Sequence, residues 1–117
     1  MSYTISKRFD FSASHVLHGL PTDHQCARLH GHNYIVEVTL QADQLDDRGF
    51  VIDYGDLAPF KRYIDATFDH RHLNDILPTN PTAETLAEHL HRWCRGQGWP
   101  VSRIGVSETP KTWAWYE

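Results

Sequence analysis

The 117 residues carry 11 basic and 15 acidic side chains, a formal charge of −4 with histidine neutral, and 40% hydrophobic residues. This balance argues against the basic face that a nucleic-acid-binding domain needs, and no apolar run approaches the roughly 20 residues that span a bilayer. Cys26 and Cys94 are too few for a disulfide scaffold, which leaves nine histidines as the most unusual count.

The length is that of one domain, residues 1–117, with one core. Met1 to Lys7 shows no basic segment followed by an apolar one, so no secretory signal is expected and the expected location is cytoplasmic. Residues 3–15 alternate: Tyr3, Ile5, Phe9, Phe11 and Ala13 share one parity, and Thr4, Ser6, Arg8, Asp10 and Ser12 the other. A period of two predicts a half-buried strand, with His15 on its apolar side. A second strand is predicted at about residues 32–42, where Tyr34, Val36, Val38 and Leu40 face one way; extending that parity backwards puts His32 and His30 on the apolar side. Asp46–Gly49 is a turn signal, and Phe50–Asp53 reads as a short strand after it.

The first helix is expected to start near Asp56, with Pro59 in its first turn and Leu57, Phe60, Ile64 and Phe68 at helical spacing. Thr82 is the expected cap of a second helix, whose stripe is Ala83, Leu86, Ala87, Leu90, Trp93 and Cys94. Two last strands are predicted, Val101 to Glu108 and Thr112 to Tyr116. The order ββααββ implies an α+β fold, a four-stranded antiparallel sheet with two helices on one face. So small an open sheet leaves edges to be paired, which points to self-association.

Antiparallel pairing of the first two strands would bring His15 beside His30 and His32. Three imidazoles on a partly apolar face suit a zinc ion with one open coordination position. The competing reading is a chance His-Gly-His pair, with His15 satisfied by a backbone carbonyl. His18, His24, His72, His89 and His91 are expected to be solvated. Cys26 lies in the connection four residues before His30; a thiol beside a dication can ionise and act as base, whereas a lone loop cysteine is more often inert. Cys94 belongs to the core stripe. Asp69 beside His70 could form a proton relay, since an acid orients an imidazole. Glu108 continues the parity of Ile104 and Val106, which sets a carboxylate at the end of a buried stripe unless the strand has already ended and the side chain faces water.

Phe11–His15, Cys26–Tyr34, Gly49–Tyr54, Phe68–His70 with Leu73-Asn74, Asn80–Glu84 and Ser107–Thr109 together resemble the signature of the pyruvoyl-tetrahydropterin synthase superfamily. The likeness is greatest to its carboxytetrahydropterin-forming branch in the queuosine (7-deazaguanine) pathway, which shares the three residues between Cys26 and His30. The resemblance implies a tunnelling fold, with trimers closing into a barrel, usually pairing as homohexamers, and active sites at subunit interfaces. It further implies that His15, His30 and His32 bind Zn²⁺, that Cys26 takes the proton, and that His70 with Asp69 relays or donates one. Glu108 would anchor the pterin ring. The implied partner is a small-molecule pterin triphosphate, 7,8-dihydroneopterin triphosphate, converted by a lyase reaction to 6-carboxy-5,6,7,8-tetrahydropterin, acetaldehyde and triphosphate. Sister activities on the scaffold form the pyruvoyl pterin or cleave dihydroneopterin; a non-catalytic zinc-binding module is the alternative outside enzymes. Lys7, Arg8, Arg28, Arg71 and Lys111 are candidates for the triphosphate.

Overall fold

The alternation at the N-terminus becomes strand β1 (Tyr3–His15), paired antiparallel over its whole length with β2 (His30–Ala42) in the computed structural model, which describes residues Met1–Glu117. The register runs from Tyr3 opposite Ala42 to His15 opposite His30, so β2 begins two residues earlier than the pattern from Tyr34 onward suggested. β2 pairs in turn with β4 (Val101–Ser107), antiparallel with a bulge at Thr39 and Leu40, and β4 pairs with β5 (Ala114–Tyr116). A two-residue strand β3 (Arg71–His72) lies parallel to β1 at Ala13 and Ser14. The sheet is therefore mixed and five-stranded, in the order β3-β1-β2-β4-β5, where four antiparallel strands were expected.

Phe50–Asp53 is not a strand. Its backbone is used locally instead: the Asp46 N–H donates to the Phe50 carbonyl at 2.8 Å, and the Phe50 N–H donates to Asp46 Oδ1 at 3.0 Å. Val51 and Ile52 nevertheless pack against the core.

Helix α1 (Ala58–Thr67) follows a 3₁₀ turn at Tyr54–Leu57 and carries Pro59 in its first turn, where the missing N–H costs no helical bond. Helix α2 (Ala83–Gly96) is capped by Thr82, whose hydroxyl accepts from the Thr85 N–H at 3.1 Å. Both helices lay their apolar stripes on one face of the sheet. Phe60, Ile64, Leu86, Leu90 and Cys94 meet Phe9, Phe11, Tyr34, Val36, Val38 and Ile104 in one buried cluster. Within it Phe11 stacks on Tyr34 at 4.9 Å between centroids, and Phe60 meets Phe9 edge-on at 5.0 Å. Burial pushes the Cys94 thiol pKa up to about 12, in keeping with a core position. No helix is long and apolar enough to cross a membrane.

His72, His89 and His91 depart from the expectation of solvated side chains. All three are half-buried; His72 Nδ1 lies 2.9 Å from the Ser14 hydroxyl, and His89 stacks near Tyr63, whose hydroxyl lies 2.7 Å from His89 Nε2. Trp93 of the expected α2 stripe and Phe68 of the expected α1 stripe join Tyr63 in an aromatic cluster on the flank of α2 that carries His89.

Candidate metal centre

The β1–β2 register sets His15 opposite His30 and Ala13 opposite His32, all on the face turned to the helices. One nitrogen from each of the three rings lies within 4.8 Å of the others. His15 is fully buried, and His30 and His32 are half-buried.

The rings are oriented from behind. His15 Nδ1 lies 2.8 Å from the Pro81 carbonyl and His30 Nδ1 lies 2.7 Å from the Arg28 carbonyl. A carbonyl only accepts, so both Nδ1 atoms carry the proton and both Nε2 atoms present lone pairs. Those two Nε2 atoms are 2.9 Å apart. Two lone pairs at that distance repel unless a proton or a metal ion is shared between them, and this donor set fits a metal ion held by neutral imidazoles, with the outer N–H groups of His15 and His30 committed to acceptors. Desolvation lowers the pKa of His15 and His32, which favours the neutral, ligating form. The carbonyl reading of His15 and the metal reading are thus compatible, because they use opposite nitrogens.

Glu108 lies just past the end of β4, half-buried, with Oε2 3.8 Å from His32 Nε2. Tyr34, next along the His32 face, turns its hydroxyl to within 3.3 Å of His15 Nδ1. Cys26 is half-buried in a 3₁₀ turn (Gln25–Ala27) within the β1–β2 connection, and its carbonyl accepts from the Leu17 N–H at 3.0 Å. The thiol is outside the imidazole cluster but on the loop that joins both ligand-bearing strands.

Asp69 and His70 stand beside β1 at Ser12, where the chain leads into β3. Asp69 Oδ1 accepts from the Ser12 N–H at 3.0 Å and lies 3.0 Å from His70 Nδ1; the Ser12 N–H is the main reason its pKa is lowered. The His70 N–H donates to the Ser12 carbonyl at 2.6 Å. His70 has φ 58°, the only positive value outside glycine, and its side chain is 82% exposed. It opens onto a cleft of about 500 Å³ that Ser12, Ser14, His32, Asn33, Arg71 and His72 also line. The chain therefore brings the three imidazoles and Glu108 together, while the Asp69–His70 pair is bonded to the Ser12 backbone outside the imidazole cluster, in a cleft that His32 also lines.

The Pro81 and Arg28 carbonyls and the Tyr34 hydroxyl were not singled out from the sequence. Tyr34 shares the parity of His32 and could have been found that way; backbone acceptors leave no residue-type signal.

A family model described as 6-pyruvoyl tetrahydropterin synthase matches residues 4–117. The 6-carboxy-5,6,7,8-tetrahydropterin synthase of Rickettsia felis is 33% identical over 132 aligned positions, which cover 90% of this chain and 93% of that one. Among solved structures, the 6-pyruvoyl tetrahydropterin synthase of Caenorhabditis elegans superposes with a TM-score of 0.87 at 26% identity, covering 100% of this chain and 96% of that one. An uncharacterized protein of Wolinella succinogenes superposes with a TM-score of 0.88 at 25% identity over 99% and 98% of the two chains.

Proposed function

This chain belongs to the 6-pyruvoyl tetrahydropterin synthase family, and from that premise we propose that it is a zinc-dependent lyase of 7-deazaguanine (queuosine) biosynthesis. Its reaction converts 7,8-dihydroneopterin triphosphate to 6-carboxy-5,6,7,8-tetrahydropterin, acetaldehyde and triphosphate. The observation that carries this reading is the cluster of His15, His30 and His32, two of whose rings present bare nitrogens to each other. The branch is supported by the relatives that bear the carboxytetrahydropterin name and by the short Cys26-to-His30 spacing.

Each residue then has a distinct task. His15, His30 and His32 hold zinc, which when bound supplies Lewis-acid polarisation of a side-chain oxygen of the substrate. Cys26 takes the proton from the adjacent carbon, acting as a thiolate base. Asp69 orients His70 through Nδ1, so that His70 delivers a proton to the departing side chain. Glu108 accepts hydrogen bonds from the paired N–H groups of the pterin ring.

Asp69 and His70 are not members of the imidazole cluster of their own chain, and a second copy would complete each site. Trimers closing into a barrel and pairing as hexamers would also cover the open β3 and β5 edges. They would shield an apolar cleft where Tyr3, Phe50 and Tyr54 are 52%, 42% and 48% exposed. Native mass spectrometry reads this directly, and a monomer would remove it. The site of action is cytoplasmic.

The product decides the branch. Zinc-loaded protein incubated with 7,8-dihydroneopterin triphosphate is expected to yield acetaldehyde and the carboxylated pterin in equal amounts, followed by mass spectrometry with an aldehyde trap. A pyruvoyl pterin without acetaldehyde would favour the second reading, which the likeness to the Caenorhabditis elegans structure supports. Glycolaldehyde would indicate the dihydroneopterin-cleaving activity, and no turnover a binding module.

A further inference from the structure

Past His15 the chain continues the β1 edge for three residues with no strand beside it. An extended chain turns its N–H and C=O groups alternately to opposite edges, so Val16 and His18 face one side and Leu17 the other. On the first side, Asn74 Oδ1 accepts from the Val16 N–H and Asn74 Nδ2 donates to the Val16 carbonyl, both at 2.9 Å. Asn80 repeats this on His18, at 2.9 Å and 3.0 Å. A side-chain amide carries the same donor and acceptor as a peptide group, so the two asparagines take the place of a strand and prolong the edge that β3 occupies at Ala13 and Ser14. On the opposite side, Leu17 binds the Cys26 carbonyl.

Asn80 is itself held firmly. The Thr85 hydroxyl donates to its carbonyl at 2.7 Å, and the Thr82 N–H reaches the same oxygen at 2.9 Å. The next residue, Pro81, supplies the carbonyl behind His15. One short segment in front of α2 thus orients a ligand ring directly and reaches the Cys26 loop through His18 and Leu17. Within that loop the His24 N–H bonds the Pro21 carbonyl, the Cys26 N–H bonds His24 Nδ1, and the Ala27 and Arg28 N–H groups bond the His24 and Gln25 carbonyls, while the Arg28 carbonyl at its far end meets His30 Nδ1.

We infer that Asn74 and Asn80 are positioning residues that pin the end of β1 and thereby hold the Cys26 thiol in place relative to the imidazole cluster. The inference rests on the assignment of Cys26 as the base. The test compares zinc-loaded wild type with Asn80→Ala, Asn74→Ala and Thr85→Val by two readouts. The first is the rate of Cys26 alkylation by iodoacetamide, with fully buried Cys94 reporting global unfolding. The second is kcat and KM for 7,8-dihydroneopterin triphosphate. Released from the clamp, the loop opens more often, and Asn80→Ala is expected to be alkylated at Cys26 about 10-fold faster or more. Its kcat should fall by about 10- to 100-fold with KM within about threefold, the signature of a displaced reacting group with the substrate site intact.

Cys26 alkylation within about twofold of wild type in both asparagine variants would overturn the inference. So would a faster alkylation with unchanged kcat, because the clamp would then hold a loop without a bearing on the reaction. If Asn80→Ala also labels at Cys94 it has unfolded, and Thr85→Val, which removes the hydroxyl bonded to the Asn80 carbonyl and near the Thr82 cap while leaving both asparagines in place, decides by the same ratios. A wild type that turns over no pterin removes the functional reading instead, and the alkylation ratio still decides whether the clamp holds the loop.

Discussion

His15 Nε2 and His30 Nε2 lie 2.9 Å apart while the opposite nitrogen of each ring is already engaged by a backbone carbonyl. Such a pair is frustrated without a cation, so adding Zn²⁺ to metal-free protein should raise Tm. The gain corresponds to about 2.7 kcal/mol at a free concentration about 100 times Kd. His30→Ala should abolish both the shift and stoichiometric zinc in metal analysis. A variant that retains full zinc would take His30 out of the site.

Cys26 and Glu108 should separate by phenotype. Cys26→Ala is expected to keep zinc and bind the pterin yet lose turnover by about 10²-fold or more. Glu108→Gln presents a donor where the pterin N–H groups need an acceptor, so binding and turnover should weaken together. Calorimetry showing unchanged pterin affinity would place Glu108 outside the pocket.

His70 holds a left-handed backbone conformation that favours glycine. His70→Gly should therefore be as stable as wild type or more so, by up to about 1 kcal/mol, while turnover falls. His70→Ala keeps the Cβ that makes this φ unfavourable and should therefore be less stable than His70→Gly. Urea unfolding of the two variants checks this, and equal stabilities would mean that the backbone relaxes.

A Cβ at Gly105 would lie 2.5 Å from Trp115 Cζ3, and the indole is hemmed in by Trp113, stacked at 5.5 Å, and by the Arg103 guanidinium at 4.1 Å. Gly105→Ala is expected to cost about 1–3 kcal/mol by overpacking. In a Trp115→Ala background the same change should cost less than half as much. An equal cost in both backgrounds would show that the contact with Trp115 is not the cause.

Burial lowers the His89 pKa below its ordinary 6.5. As pH falls, the unfolded chain therefore takes up this proton before the folded one does. The contribution is fully present above about 6.5 and is lost as pH falls through the folded-state value. His89→Gln keeps a hydrogen-bonding partner for Tyr63 and removes the titration, so its urea midpoint should fall less steeply between pH 7.5 and 5.5, roughly the span over which the unfolded histidine protonates. Parallel curves for variant and wild type would assign the acid sensitivity elsewhere.

Strands β1 and β2, helix α2 with its Thr82 cap, and the shared face of His15, His30 and His32 were all legible in the sequence. Side-chain parity is a property of extended backbone itself, and a cap depends on neighbours three residues apart. The same local logic failed where partners decide. Phe50–Asp53 has a strand-like composition, but its backbone closes on Asp46 and no strand lies alongside. Two-residue β3 is too short to show any period. His89 carries no apolar signal, yet it is covered by aromatic rings from α1 and the segment after it.

The sequence by itself thus determined which imidazoles could meet, because register and parity follow from the alternation of the two long strands. Only the tertiary structure decided how those imidazoles are oriented. The carbonyl behind His15 comes from Pro81, 66 residues away, and the peptide edge after His15 is completed by Asn74 and Asn80. Backbone acceptors are the same at every residue, so which of them faces a given ring follows from chain closure alone.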